Sequence, residues 1–309
     1  MKHIKKLSSK LLLVLGVMIL SVIVWQVIVS KRVIGDMEKI RQVQSVEQVQ
    51  ELLKNKELKT YHAIPIHPFS KIRINEIDAH ILKGDKYEIY VSDYIKRSVE
   101  IVQNEDELVI NTLGEESPSA QTPVVIFMPE DPQSVHYGMP NNQCHRNCKL
   151  YGFKGDNTFL SLEGGLLGMH TDMPFINIKQ KDNDLVLFTI GSNHKVQMNV
   201  NAENSIFNFN NQVADSINLN IQLQESVISQ ISFLPQSKIG TLSLEGTLAQ
   251  NPRRPPINGT IEYPGQCDSL IIQLANNTEN VQQLFLSKEL SGSYENIDIS
   301  ENIVIKRGE

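Results

Sequence analysis

Short segments of alternating apolar and polar residues return through the second half of the chain at a nearly fixed interval. They begin near Leu185, Lys195, Ser205, Ser216, Val227 and Ile239, which are 10, 10, 11, 11 and 12 residues apart. Strict alternation marks a strand buried on one side only. Short strands at this spacing restrict the chain to a sandwich, a barrel or a stack of coiled strands. The runs "DSLIIQL", "QQLFLS", "ENIDI" and "ENIVIKR" continue the series after a Pro-rich interruption, "NPRRPPINGT", at 251–260.

Two details favour the stack. The period is almost constant, without the Asn-Gly or Asp-Gly turns that two-residue hairpins prefer. The outward positions also carry amides: Gln197, Asn199, Asn208, Asn210, Asn218, Asn220, Gln222 and Gln224. Equivalent residues of parallel strands lie about 4.8 Å apart. Like charges repel at that distance, whereas amides hydrogen-bond along a ladder. The segment "INLNIQLQ" (217–224) reads as one rung, with Ile217, Leu219, Ile221 and Leu223 facing inward. Two strands per coil give a turn of roughly 20–23 residues, within the range of repeat architectures. The expected fold is mainly β, a parallel β-helix. Asn208, Asn210, Asn218, Asn220 and Gln222 are its candidate ligand-binding amides, since paired donors and acceptors suit sugar hydroxyls.

The other strong feature is Leu11–Val29, nineteen residues without a charge. As a helix it matches a hydrocarbon core of about 30 Å. Lys2, Lys5, Lys6 and Lys10 precede it, and Trp25 lies toward its far end, the arrangement of an anchor with its N-terminus inside. A cleavable signal peptide is the alternative, although the run is long for one and no A-x-A-like site follows. Either reading exports residues 36–309, to the periplasm or the cell exterior. The net charge is −6, but residues 1–35 hold six cations and no acid, so the remainder carries −12. That balance repels nucleic acid and anionic lipid, and no nucleic-acid partner is expected.

Three regions follow: an anchor at 1–35, a juxtamembrane helical stalk at 36–60 and a β-domain at 61–309. In the stalk, Ile40, Val43, Val46, Val49 and Leu53 form one apolar stripe, fit to pack on the next domain or on a second copy of the chain. Ser45 and Gln48 are spaced as a capping box that would restart a second helix. Pro65 and Pro68 end the helical texture. Residues 114–175 look irregular apart from one clear strand, "VVIFM", with six prolines, the segment "CHRNC" and the glycines of "LEGGLLG". Such an excursion is either a binding loop or a pinned packing loop. Cys144, Cys148 and Cys267 are candidates for one disulfide with a thiol left over, for unpaired thiols, or, with His136, His145 and His170 nearby, for a metal site of no standard zinc spacing.

Residues 69–112 resemble the auto-transporter adhesin head domain of the GIN type, a family exported by many bacteria. The resemblance rests on Phe69 followed by Ile72 and Ile74, on Gly84-Asp85 before Tyr87, Ile89 and Val91, and on Leu108 and Ile110 after Glu105-Asp106. It implies a right-handed parallel β-helix and an adhesin-like role, and it brings no catalytic residues. The tripeptide Gly-Ile-Asn is absent from this chain.

No G-x-S-x-G, H-E-x-x-H, P-loop or G-x-G-x-x-G motif occurs. Asp182, Asp184 and Asp298 form no repeat-phased carboxylate pair, and His62, His67, His80 and His194 are scattered. No enzyme, cofactor or metal is expected. The leading expectation is a membrane-anchored, adhesin-like binder of a glycan or another envelope component. An envelope assembly protein acting through its stalk or an end of the stack, including a homo-oligomer through the stalk, is the second. A carbohydrate-active enzyme is the third.

Overall fold

The computed structural model of the chain describes residues 2–113, 122–139, 145–189, 195–211, 215–249, 259–263, 265–278 and 281–308, with side chains from residue 14 onward. Cys144 and His194 lie outside these residues. Among the described residues two helices, α1 (Lys2–Arg41) and α2 (Val46–Lys54), precede 22 strands that form two sheets around one core.

In hydrogen-bonded order the front sheet is β5 (Val99–Asn104), β6 (Glu107–Thr112), β2 (Lys71–Asn75), β8 (Ser134–Gly138), β10 (Phe159–Glu163), β12 (Phe175–Lys181), β14 (Lys195–Glu203), the first part of β16 (Ser216–Ser232), β17 (Lys238–Leu248), β19 (Gln266–Asn276) and β21 (Ser291–Ile299). The back sheet is β1 (Tyr61–Pro65), β4 (Glu88–Ser92), β7 (Val124–Met128), β3 (Ala79–Lys83), β9 (His145–Tyr151), β11 (Leu166–Thr171), β13 (Asp184–Thr189), β15 (Ile206–Asn211), the rest of β16, β18 (Gly259–Glu262), β20 (Gln282–Leu286) and β22 (Ile303–Arg307). From β8 onward successive segments alternate between the sheets, and every pairing is parallel. Among the described residues antiparallel pairing is confined to β1, β4, β5 and their partners at the N-terminal end.

The crossing from front to back is short, and a left-handed residue makes it. Asp182, Asn204 and Glu225 stand there with φ of 53°, 48° and 47°. Asp and Asn tolerate that region better than most side chains. The corners also stack on one another. Asn204 Nδ2 donates to Asp182 Oδ1 at 2.5 Å, Ser205 N donates to Ser226 Oγ at 3.1 Å, and Val227 N donates to Ser205 O at 2.8 Å. Between the corners the inward residues form columns. Leu160, Ile178, Val200, Ile221, Leu244 and Ile272 are in register and buried; each full burial contributes about 1.5–3 kcal/mol.

Residues 114–175 are not the irregular excursion that their composition suggests. Beyond the expected strand "VVIFM" (β7), β8 to β11 and the start of β12 lie within them, and from β8 on the parallel register of both sheets runs through. Pro123, Pro129, Pro132, Pro174 and the paired glycines sit between strands. Gly164 and Gly165, with φ of 70° and 68°, make the front-to-back crossing of their own coil.

The boundary expected at residue 35 falls inside α1, which is continuous to Arg41. The apolar stripe is not left for a second copy. Ile40, Val43 and Val49 are buried in one cluster with Leu58, Tyr61, Leu82, Val125, Phe127 and Tyr151, and Val46 and Leu53 pack against it. Leu82, Val125, Phe127 and Tyr151 are the outward residues of β3, β7 and β9, so the helices cover the outer face of the back sheet there. Ser45 caps α2 by accepting from Gln48 N at 3.4 Å, as its spacing predicts, while Gln48 Oε1 accepts from Gln44 N at 2.7 Å.

Candidate binding face

The outer face of the front sheet is left uncovered by the helices. Along β14 buried and exposed residues alternate, and parallel register aligns the exposed ones with those of β12 and β16. Asn177, Asn199 and Asn220 thereby form a row. Asn199 Nδ2 donates to Asn177 Oδ1 at 3.0 Å, 22 residues back, and Asn220 Nδ2 donates to Asn199 Oδ1 at 3.1 Å, 21 residues back. An amide carries two N–H donors and two acceptor lone pairs. Each ladder bond engages one donor and one lone pair, leaving Asn199 with one of each for solvent or a ligand.

Beside this row, Gln222 Nε2 donates to Glu245 Oε2 at 3.0 Å, and Ser243 Oγ donates to Glu245 Oε1 at 2.6 Å. These two bonds, that from Ser243 first, hold the Glu245 carboxyl below its ordinary pKa. Asn218 has a structural duty. Its Oδ1 accepts from Thr241 N at 2.9 Å where the β16–β17 register shifts, and a side chain at Gly240 would run into it.

Two aromatic rings border the ladder. Phe159 is in register with Asn177 and Phe175 with Gln197, and they are 44% and 42% exposed. Exposed rings offer flat apolar surface beside polar donors, the pairing that C–H-rich, hydroxyl-bearing ligands use. Neither ring stands out from sequence while 114–175 reads as irregular. The available signal was an aromatic at the polar parity of "FLSLE" and "FINIKQK".

The five candidate amides do not share a face. Asn218, Asn220 and Gln222 are on the front sheet, whereas Asn208 and Asn210 lie on β15 in the back sheet, in register with Gln230 and Ser232. The chain changes sheets at Asn204, so strands adjacent in sequence face different sides. Asn208 Nδ2 reaches Leu185 O at 3.5 Å. The same back-sheet face carries a basic row. His80, Lys149 and His170 are in register, and the His170 ring stacks on Phe188 at 4.6 Å. Lys149 Nζ donates to Arg41 O at 2.7 Å and to Val43 O at 3.0 Å, closing the C-terminal end of α1. Burial pushes Lys149 down to about 8 and, with the Lys149 charge, His170 down to about 4; burial also holds His80 well below its ordinary value. Asp78, which accepts from Asn147 N at 2.9 Å, is raised by burial to about 6.

Cys148 and Cys267 are both buried free thiols. A bond between them is ruled out by the stack. β9 pairs with β3 and β11, whereas β19 pairs with β17 and β21, five coils further on. Five spacings are roughly 24 Å, far beyond the reach of a disulfide. The histidines near the cysteines also part: His136 is on the front sheet, 3.3 Å from Ser161 Oγ, while His145 and His170 are on the back sheet. Among the described residues no three His, Cys, Asp or Glu side chains are placed to hold a metal ion.

No family model and no curated protein matches the chain. Solved structures do. One is named "putative adhesin" from Bacteroides fragilis NCTC 9343, with 11% identity and a TM-score of 0.37 over 80% of this chain and 96% of that one. A second, of the same name, comes from Parabacteroides merdae ATCC 43184, with 11% identity and a TM-score of 0.35 over 81% and 95%. A third is from Parabacteroides distasonis ATCC 8503, with 13% identity and a TM-score of 0.34 over 81% and 96%. The GIN type is matched by no family model. Scores this low transfer neither fold nor activity to the chain.

Proposed function

We propose that the chain is a membrane-anchored, exported, non-enzymatic protein whose stacked coils form a parallel β-helix. Its uncovered front face binds a glycan or another envelope component in the manner of an adhesin. The observation that carries this reading is the Asn177–Asn199–Asn220 ladder bordered by Phe159 and Phe175. The anchor reading is supported by α1, whose residues 14–41 are apolar enough to cross a membrane, with none of the most apolar window buried. The second reading, an envelope assembly protein, is favoured by the ladder itself, because amides bonded to one another already have a structural use. Glycan and matrix arrays probed with the full chain and with Phe159→Ala/Phe175→Ala decide between them. Loss of binding at unchanged melting temperature supports the binding face. Binding that survives the double substitution, or no binding at all, leaves the assembly reading.

A further inference from the structure

The way α1 meets the β-domain fixes where that domain stands. Val33 and Asp36 are already buried against it, so at most three residues separate Val29, the end of the apolar run, from the first docked side chain. At 1.5 Å per residue that is about 5 Å of helix. From there α1 crosses the strands and does not run along them. Asp36 Oδ2 accepts from Thr60 N at 2.7 Å and from Thr60 Oγ1 at 2.8 Å, at the start of β1. One to two turns later Arg41 O and Val43 O are held by Lys149 on β9, four strands further into the sheet. The helix axis therefore follows the stacking direction, and its apolar segment leaves the molecule at the β1 edge.

The chemistry at that edge differs from the rest of the domain. The turn after β4 is tied to the same spot: Asp93 N donates to Thr60 O at 2.9 Å, and Ser92 Oγ donates to Thr60 Oγ1 at 3.0 Å. That turn exposes Lys96, Arg97 and Tyr94, the last 55% exposed, beside exposed Lys59 and, one turn back along α1, Lys31 and Arg32. Of the acids nearby, Glu38 on α1 is exposed and the other three are engaged. Asp36 is buried on Thr60, Asp93 pairs with His62 at 2.9 Å, and Glu57 pairs with Lys39 at 2.7 Å. Residues 36–309 carry −12 in total, yet this end is basic and bears an interfacial aromatic. Cations and Tyr at headgroup depth are what an anionic bilayer surface favours.

We infer that the β-domain stands upright on the bilayer, its β1 edge seated on anionic headgroups through Tyr94, Lys96 and Arg97. Its β22 edge points away, roughly 50 Å out at about 4.8 Å for each of the strand spacings between them. The inference rests on the anchor reading above. The bilayer then fixes the orientation of the amide face, which runs up the side of the column with no freely jointed stalk beneath it.

The test uses the full chain in phosphatidylcholine vesicles, with and without phosphatidylglycerol, and a headgroup-attached nitroxide quencher. A fluorophore is placed at Tyr94→Cys or Tyr294→Cys in a Cys144→Ser background. Quenching several-fold stronger at 94 than at 294 is expected. With phosphatidylglycerol, Lys96→Glu/Arg97→Glu should reduce quenching at 94, and without it that substitution should have little effect. Equal quenching at both positions in protein that floats with the vesicles overturns the upright placement and spares the anchor. Protein that does not float removes the anchor itself. Quenching at 94 that ignores both phosphatidylglycerol and the charge reversal overturns the lipid contact.

Discussion

Phe127 and Phe159 both point away from the core, one from the back sheet and one from the front, and they meet opposite surroundings. Phe127 is 6% exposed beneath the helices, edge-on to Tyr90 at 5.8 Å, while Phe159 is 44% exposed. The strands carrying them obey the same alternation. What separates the two faces is the chemistry at the outward positions. Leu82, Val125, Phe127 and Tyr151 make an apolar patch that must be covered, and the stripe of α1 and α2 covers it. Asn177, Asn199 and Asn220 bond to one another, keep spare donors and acceptors for solvent, and need no cover. The first face is completed by the chain itself; the second is left available.

The largest expected effect comes from exchanging the same residue on the two faces. Phe127→Ala should cost about 3–5 kcal/mol, as for other buried phenylalanines, whereas Phe159→Ala should stay within about 0.5 kcal/mol. Urea melts of the two variants measure the difference. Equal losses would mean that the helices do not cover the back face in solution.

The next effect is on acid stability, and it belongs to the covered side. His80 and His170 are held neutral in the fold, beside Lys149, His145 and Arg41, with Asp78 and Arg146 on the neighbouring strand and corner. Their folded pKa values lie below the unfolded value near 6.5, so the unfolded chain takes up protons first as pH falls. Stability should therefore be full above about pH 6.5 and decline toward pH 4. Asp78 acts in the opposite direction, since its pKa is raised to about 6 and protonating it favours the fold. The urea midpoint should fall across this window, and His170→Phe should flatten the fall while keeping a ring on Phe188. A flat wild-type profile would contradict burial of the histidines.

A third effect tests why the front face carries amides at all. Asn177→Asp/Asn199→Asp/Asn220→Asp places three carboxylates in a column at about 4.8 Å spacing. Each adjacent pair costs about 1 kcal/mol in water and more near protein, so a loss of roughly 2 kcal/mol is expected at low salt. It should shrink as salt rises and vanish on acidification below the carboxylate range. Insensitivity to salt would remove the repulsion argument.

The strands themselves were legible because burial writes a period of two into the residues, and "INLNIQLQ" shows it without interruption. Two things were not legible. Asn208 and Asn218 look like neighbours on one surface, because nothing in alternation records that Asn204, at φ 48°, sends the chain to the other sheet. The stretch from 114 to 175 looked irregular because prolines and glycines punctuate it, although Pro129, Pro132, Pro174 and the Gly164-Gly165 pair stand between strands and "FLSLE" keeps its alternation. Periodicity reports which residues face the core; assigning an outward residue to one of two faces requires the corner, where a single left-handed Asp, Asn, Glu or Gly carries the information.

The smallest effect is the most specific to the candidate site. Asn199 sits in the middle of the ladder, so Asn199→Ala removes both bonds, while Asn220→Ala removes one. An exposed hydrogen bond contributes little net stability, because water takes the place of the lost partner. Asn199→Ala should lower stability by about 1 kcal/mol and Asn220→Ala by about half of that. If the face binds hydroxyl-bearing ligands, the order should hold for affinity too, with Asn199→Ala weakening array binding more than its stability change explains. Equal stability losses would mean that the amides act singly, and the row would then be a coincidence of register instead of a ladder.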